Sequence, residues 1–281
     1  MAEIQEKGGI GTVITYIVVG IFTVLAVYPI FWVIIQSFKT TQEYMMESKL
    51  ALPKIWYAGN YPWAWKMGRF STLILNSIFY TTITTVATIV LSFMAGFAFA
   101  KIKSKATPIF FNSFIIGILL TIQSIMVPLF LIINTIGLYD TRLGVLIPYI
   151  GIALPMAVYL STEYIKSIPD ALLESARIDG AKYLHIFRTI ILPMSAPVAV
   201  TVAILQVTGT WNEFMLINIL VSRNELKSLP VGVNMFSGAL ASDYGRQFTA
   251  LVIAMMPMVI FYVIFRKQIT KGVAGGALAG T

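Results

Sequence analysis

The feature that most constrains this chain is a series of apolar runs, each about 18 residues or more, the length a helix needs to cross a bilayer. Six stand out, at 13–35, 73–100, 109–136, 143–162, 198–220 and 248–265. Hydrocarbon offers the backbone no water, so only helices or closed barrels cross it. The runs are continuous rather than alternating, which argues against a barrel. Composition agrees. The 281 residues are 58% hydrophobic and 11% charged, against roughly 25% charged in a soluble domain. Too little polar surface remains to cover a water-soluble globule. The fold class expected is all-α integral membrane with six transmembrane helices. Pro29, Pro128, Pro148, Pro155 and Pro257 fall inside runs, and Pro128 is expected to kink the third. Neighbouring helices and waters can satisfy the carbonyls that proline frees.

The net charge is +8. Lys and Arg flank the spans, where they set topology, and no basic run of five occurs, so no nucleic-acid partner is expected. There is no cysteine and a single histidine, His185. That excludes disulfides, thiolate sites, cysteine nucleophiles and histidine metal clusters. No catalytic residue and no metal site are expected. The first run lacks a small-residue cleavage site and reads as a retained span. The short basic loop 101–105 and the tail with Arg266, Lys267 and Lys271 place both termini in the cytoplasm. The first outer loop, with Lys39, Lys49, Lys54, Lys66 and Arg69, opposes this. It is longer and also holds Glu43 and Glu47, so the short loops weigh more. Its Trp56, Tyr57, Tyr61, Trp63 and Trp65 suit an interfacial belt or a docking face.

Between the fourth and fifth spans lies a polar stretch, 168–193. Ser167 can cap a helix whose first turn holds Pro169 and Asp170. Leu172, Leu173 and Ala176 fall on one face, and Gly180 is a natural left-handed stop. A second helix would set Leu184, Phe187, Ile190 and Ile191 on one face and close at Leu192-Pro193. Its residues alone permit a surface helix lying on the bilayer or a docking element.

The spacing favours docking. Glu174-Ser175-Ala176, three residues, Gly180, nine residues, Ile190, one residue, Leu192-Pro193 resembles the EAA loop of ATP-binding-cassette importer permeases. Only Ser175 departs, small for small. The resemblance covers nearly the whole chain and is to the sugar-importer branch with the maltose and multiple-sugar systems. Asn76-Ser77, 95–101, 137–141, Ile178-Asp179-Gly180-Ala181 and Trp211-Asn212-Glu213-Phe214 are similar to that branch. The glycine-rich tail is too, except that Ala279 stands where the family ending has Lys.

What the resemblance implies is a type I importer transmembrane domain at 13–266, between a cytoplasmic N-terminus, 1–12, and a cytoplasmic tail, 267–281, in the cell membrane. A second permease, two cytoplasmic ATPase subunits and an extracytoplasmic sugar-binding protein would complete it. ATP and magnesium would belong to the ATPase, with no cofactor on this chain. The cargo would be a sugar, an oligosaccharide for preference, moved by alternating access. Glu174 would anchor the ATPase contact, Ser175 and Ala176 allow close approach, Asp179 and Gly180 form the turn, and Leu192-Pro193 transmit motion. Independently, the chain has no phosphate loop of the type GxxxxGK[ST], so ATP energy must come from a partner.

Ionisable groups inside spans are candidates for function because burying them is costly. Glu213, beside Trp211 and Asn212, could meet sugar hydroxyls and ring faces. It could equally anchor a helix or pair with Arg246. Asn76, Gln123 and Asn134 are further candidates. No basic residue lies in a span interior, which favours a neutral solute over a phosphate. A lipid-acting membrane enzyme or a self-contained carrier remain as alternatives. The first lacks a cluster of acids or histidines, and the second leaves the EAA spacing unexplained.

Overall fold

The computed structural model describes residues 10–102, 104–238 and 243–278. Among them the structure is helical: α1 (Ile10–Gln36), α2 (Thr41–Met46), α3 (Asn60–Met67), α4 (Phe70–Lys101), α5 (Thr107–Ile118), α6 (Ile122–Thr135), α7 (Arg142–Lys166), α8 (Asp170–Ile178), α9 (Tyr183–Ile186), α10 (Leu192–Met194), α11 (Ala196–Asn212), α12 (Met215–Leu220), α13 (Leu229–Gly238) and α14 (Tyr244–Leu278). A π turn, Phe187–Ile191, joins α9 to α10, and a 3-10 turn, Asn224–Leu226, precedes α13. Four helices are long and apolar enough to cross a membrane, and six if each of two bent pairs is one span.

Two breaks correct the expected spans. The third run is not one helix kinked at Pro128. It is α5 and α6, bent by 108°, and the break falls at 119–121, where Thr121 turns extended and its hydroxyl meets Ser124 at 2.9 Å. Pro128 sits inside α6 without breaking it. The fifth run is not one helix either, because α11 stops at Asn212 and α12 starts at Met215.

The chain divides into two compact units, residues 1–68 with 233–255, and 69–232 with 256–281. In the first, the turn after α1 is gripped from three sides. Asn60 Nδ2 donates to the Ser37 and Lys39 carbonyls, both at 2.9 Å, and Thr249 Oγ1 donates to the Ser37 carbonyl at 3.0 Å. Gly245 is required there, since a Cβ would lie 2.2 Å from the Lys39 carbonyl oxygen. Tyr44 stacks on Tyr244 and Phe248. Lys39 is fully buried, its Nζ donating to the Ser48 carbonyl at 3.3 Å. Residues 13–31 of α1 are exposed, as suits lipid or a partner subunit.

In the second unit α4 and α7 pack side by side. Small residues let them approach, the usual device where lipid removes the hydrophobic drive between helices. Thr81, Thr84, Thr85, Thr88 and Ser92 are buried along α4. The four threonine hydroxyls find no partner, so closeness is what this seam supplies. One apolar cluster surrounds Tyr80, Tyr149 and Leu216. Another gathers Phe93, Phe97, Leu173, Ile186 and Ile191.

Candidate functional site

The segment 168–193 folds as an elbow seated on the ends of α4 and α7. Ser167 does not cap α8. Its hydroxyl turns back to the Tyr164 carbonyl at 2.7 Å and closes α7, while Pro169 occupies the N-cap position. Asp170 sits in the first turn of α8, where a carboxylate faces the positive end of the helix dipole. Leu173 is buried and Ala176 packs beneath it against the second apolar cluster. The stop at Gly180 is as expected. Its φ is +80°, its N–H bonds the Arg177 carbonyl at 3.0 Å, and the Ala181 N–H bonds the Ala176 carbonyl at 2.9 Å. This paired pattern is a Schellman ending.

Glu174, Ser175, Asp179 and Gly180 face solvent together, as do Leu192 and Pro193. Ala176 is half-buried. The apolar faces differ from expectation. Leu172 and Leu184 are exposed, and Ile186 is buried in place of Leu184. With Tyr183 and with Ile178, which is 87% exposed, they lay apolar surface beside Glu174. Contiguous exposed apolar surface marks interaction sites. A short helix has few turns in which to resolve its inward face, which hid this from the sequence.

Lys101, at the last turn of α4, was legible in the sequence only as a loop charge. Its side chain is 4% exposed. Nζ donates to the Ile168 carbonyl at 2.6 Å and the Lys166 carbonyl at 3.5 Å, and pairs with Asp170 at 2.7 Å. Phe97, one turn earlier, lies 5.6 Å from Phe187 and 6.4 Å from Tyr183 between ring centroids. The elbow's second half widens into the π turn, and the chain then bends by 74° into α11. At that bend Ser195 is buried with its hydroxyl unpartnered.

The residues expected along a solute path separate. Glu213 Oε1 accepts from the Leu216 N–H at 2.7 Å, and Oε2 from the Tyr149 hydroxyl at 2.6 Å and the Ile217 N–H at 3.2 Å. It anchors α12. Arg246 pairs with Asp243 and lies over the Trp63 ring. Asn76 is buried and spends its amide on the Glu225 and Lys227 carbonyls and on Arg142. Trp211 is buried, whereas Asn212, Phe214, Gln123 and Asn134 are exposed. In the loop aromatics, Tyr61 and Trp56 pack on Phe38, while Trp56 and Trp65 keep exposed faces.

The 137–141 motif proves to be a latch. Asp140 holds a positive φ of 59°. Its Oδ1 accepts the Ser222 and Arg223 N–H groups, both at 3.0 Å, and Oδ2 accepts Arg223 Nε at 2.9 Å. Burial raises its pKa, but those N–H groups and the guanidinium outweigh burial and hold the carboxyl below its ordinary value. Ala279 lies outside the described residues.

Residues 89–275 match the family described as binding-protein-dependent transport system inner membrane component. The chain is similar to the probable ABC transporter permease protein YurM of Bacillus subtilis, 32% identical over 276 residues, 98% of this chain and 91% of that protein. It is similar to the trehalose transport system permease protein SugB of Mycobacterium tuberculosis, 32% identical over 257 residues, 91% and 93% of the two chains. A crystal structure of a bacterial ABC transporter involved in the import of the acidic polysaccharide alginate contains a chain of the same fold. Its TM-score is 0.80 at 23% identity, covering 95% of this chain and 99% of that one.

Proposed function

The chain belongs to the family of binding-protein-dependent transport system inner membrane components, and on that premise we propose that it is the permease subunit of an ATP-driven sugar importer whose 168–193 elbow docks the ATPase. The chain is a multi-pass membrane transport subunit. Such a permease works with an ATPase and a substrate-binding protein. In the proposed assembly a second, related permease and two cytoplasmic ATPase subunits join it, and an external binding protein delivers the cargo. The domain is 13–266, with 1–12 and 267–281 flanking it in the cytoplasm. ATP and magnesium are held by the ATPase and none by this chain.

The observation that carries docking is the composition of the elbow's open face. Glu174, Ser175 and Asp179 stand beside exposed Leu172, Ile178 and Leu184. That is an anchor charge with apolar surface and no lipid-length run to hide it. Lys101 holds the elbow to this end of α4, and the short sequence that follows it is basic, which supports a cytoplasmic position for the elbow. ATP binding would draw the elbows of the two permeases together and alternate access between the membrane faces.

A sugar cargo, an oligosaccharide for preference, is supported by the relative that carries trehalose and by the absence of basic residues within the span interiors. For such a path, Gln123 offers an exposed amide and Phe214 an exposed ring, while exposed Asn212 already donates its Nδ2 to the Thr208 carbonyl at 2.9 Å. Trp211, Glu213 and Asn76 shape that path from behind. The test is a gentle-detergent pull-down from native membranes. Recovery of a second permease and an ATPase is the expected result. Recovery of this chain alone, under conditions that preserve a control complex, overturns it.

A further inference from the structure

We propose that Lys101 is a positioning residue that fixes the elbow to α4, so that α4 and the elbow move as one body. The inference rests on the docking reading above and adds the route by which force enters the membrane.

The chemistry of the contact is that of a clamp. An ammonium has three donors, and here each has a partner: the Ile168 and Lys166 carbonyls and the Asp170 carboxylate. The two carbonyls belong to the end of α7 and the turn after it, where a cation is favoured by the helix dipole. Asp170 opens α8. A single group on α4 therefore binds both sides of the α7–α8 corner. A lysine that merely snorkels keeps its head in water, but this side chain is 4% exposed. Phe93, Phe97 and Lys101 follow at intervals of four, one face of α4. Phe93 and Phe97 pack with Leu173, Ile186 and Ile191 of the elbow.

The connection from the elbow to α11 is irregular. It passes through the π turn Phe187–Ile191 and then the 74° bend at Ser195, whose buried hydroxyl has no partner. π turns are uncommon and concentrate at functional places. Leu192 and Pro193, expected to push on the fifth span, are exposed in this connection, and on either side of them Ile191 and Val198 pack in the cluster with Phe93 and Phe97. Asp170 is 65% exposed, so removing the lysine strands no buried charge and the chain is expected to fold without it.

The experiment uses the full complex with its ATPase, spin-labelled on this naturally cysteine-free chain. The pair is Ala171→Cys with Val90→Cys, elbow to α4. Both positions are exposed. On adding ATP and magnesium the distance between them is expected to stay fixed. In Lys101→Met it is expected to broaden and shift with ATP. Lys101→Arg, which keeps the charge and donors, is expected to restore it. A distance that moves with ATP in the unaltered chain overturns the proposal. So does a Lys101→Met complex that behaves as the unaltered one. Failure of the ATPase to co-purify with the unaltered chain overturns the docking reading instead.

Discussion

Glu213 spends its carboxylate on its own backbone, and that decides how it should respond to substitution. Glu213→Ala leaves the Leu216 and Ile217 N–H groups and the Tyr149 hydroxyl without their acceptor. Unpaired buried donors cost about 1–3 kcal/mol each to leave. A lower thermal midpoint in detergent is expected, with Glu213→Gln recovering part of the loss through its remaining oxygen. A role in holding cargo would instead change the transport KM while stability stayed put. Asp140 makes a second prediction of this size. Its carboxyl is held below its ordinary value, so the folded state binds its proton less readily than the unfolded chain. The latch's contribution is therefore complete above the ordinary aspartate value of about 4 and fades as pH falls through the lower folded value. Asp140→Asn tolerates the positive φ and keeps one oxygen but loses the charge. It should cost about 1–2 kcal/mol at neutral pH, and the gap to the unaltered chain should close as the buffer is acidified. Denaturation in detergent at two pH values measures both.

At the scale of elements, the middle of the α4–α7 seam depends on close contact, with one hydrogen bond from Ser161 to Ser92 at 3.4 Å. A Cβ at Gly96 would meet Ser161 Cβ at 2.9 Å and the Ser161 and Thr162 backbone at 3.1 Å. Gly96→Leu must push the helices apart, and overpacking of this kind costs about 1–3 kcal/mol. A lower thermal midpoint and weaker assembly with the ATPase are expected, since the elbow sits on both helices. Exposed Leu91→Ala on the same helix is the control that should do neither. The sequence made these long helices legible because lipid length is a coarse signal. The breaks were not legible. The run at 109–136 is apolar enough on both sides that Thr121, Gln123 and Ser124 do not end it, so average hydropathy does not mark the 108° bend. Glu213 was visible as a costly charge, but a carboxylate that caps a following helix looks the same in sequence as one that awaits a ligand.

For the whole molecule, spacing carried more than composition did. Glu174, Gly180 and Leu192-Pro193 at fixed intervals foretold an elbow, and Gly180 turns where a left-handed residue was expected. Charge counting is a blunter guide, because Lys39 and the side chain of Lys101 are buried, and a tally of loop charges treats every lysine as wet. The elbow's geometry supports a last prediction that separates docking from folding. Gly180→Pro cannot hold a φ of +80°, since proline fixes φ near −65°. It also deletes the N–H that bonds the Arg177 carbonyl. Glu174→Arg leaves the backbone alone and reverses the charge of an exposed side chain. Both variants should insert in the membrane, and both should lose the ATPase from the purified complex. Glu174→Arg should do so with an unchanged thermal midpoint, because an exposed substitution away from caps and partners shifts stability by about 0.5 kcal/mol or less. Membrane fractionation, co-purification and a melting curve read the three quantities separately. Retention of the ATPase by Glu174→Arg, with normal transport, would remove the anchor role from that residue. Retention by Gly180→Pro as well would remove docking from the elbow.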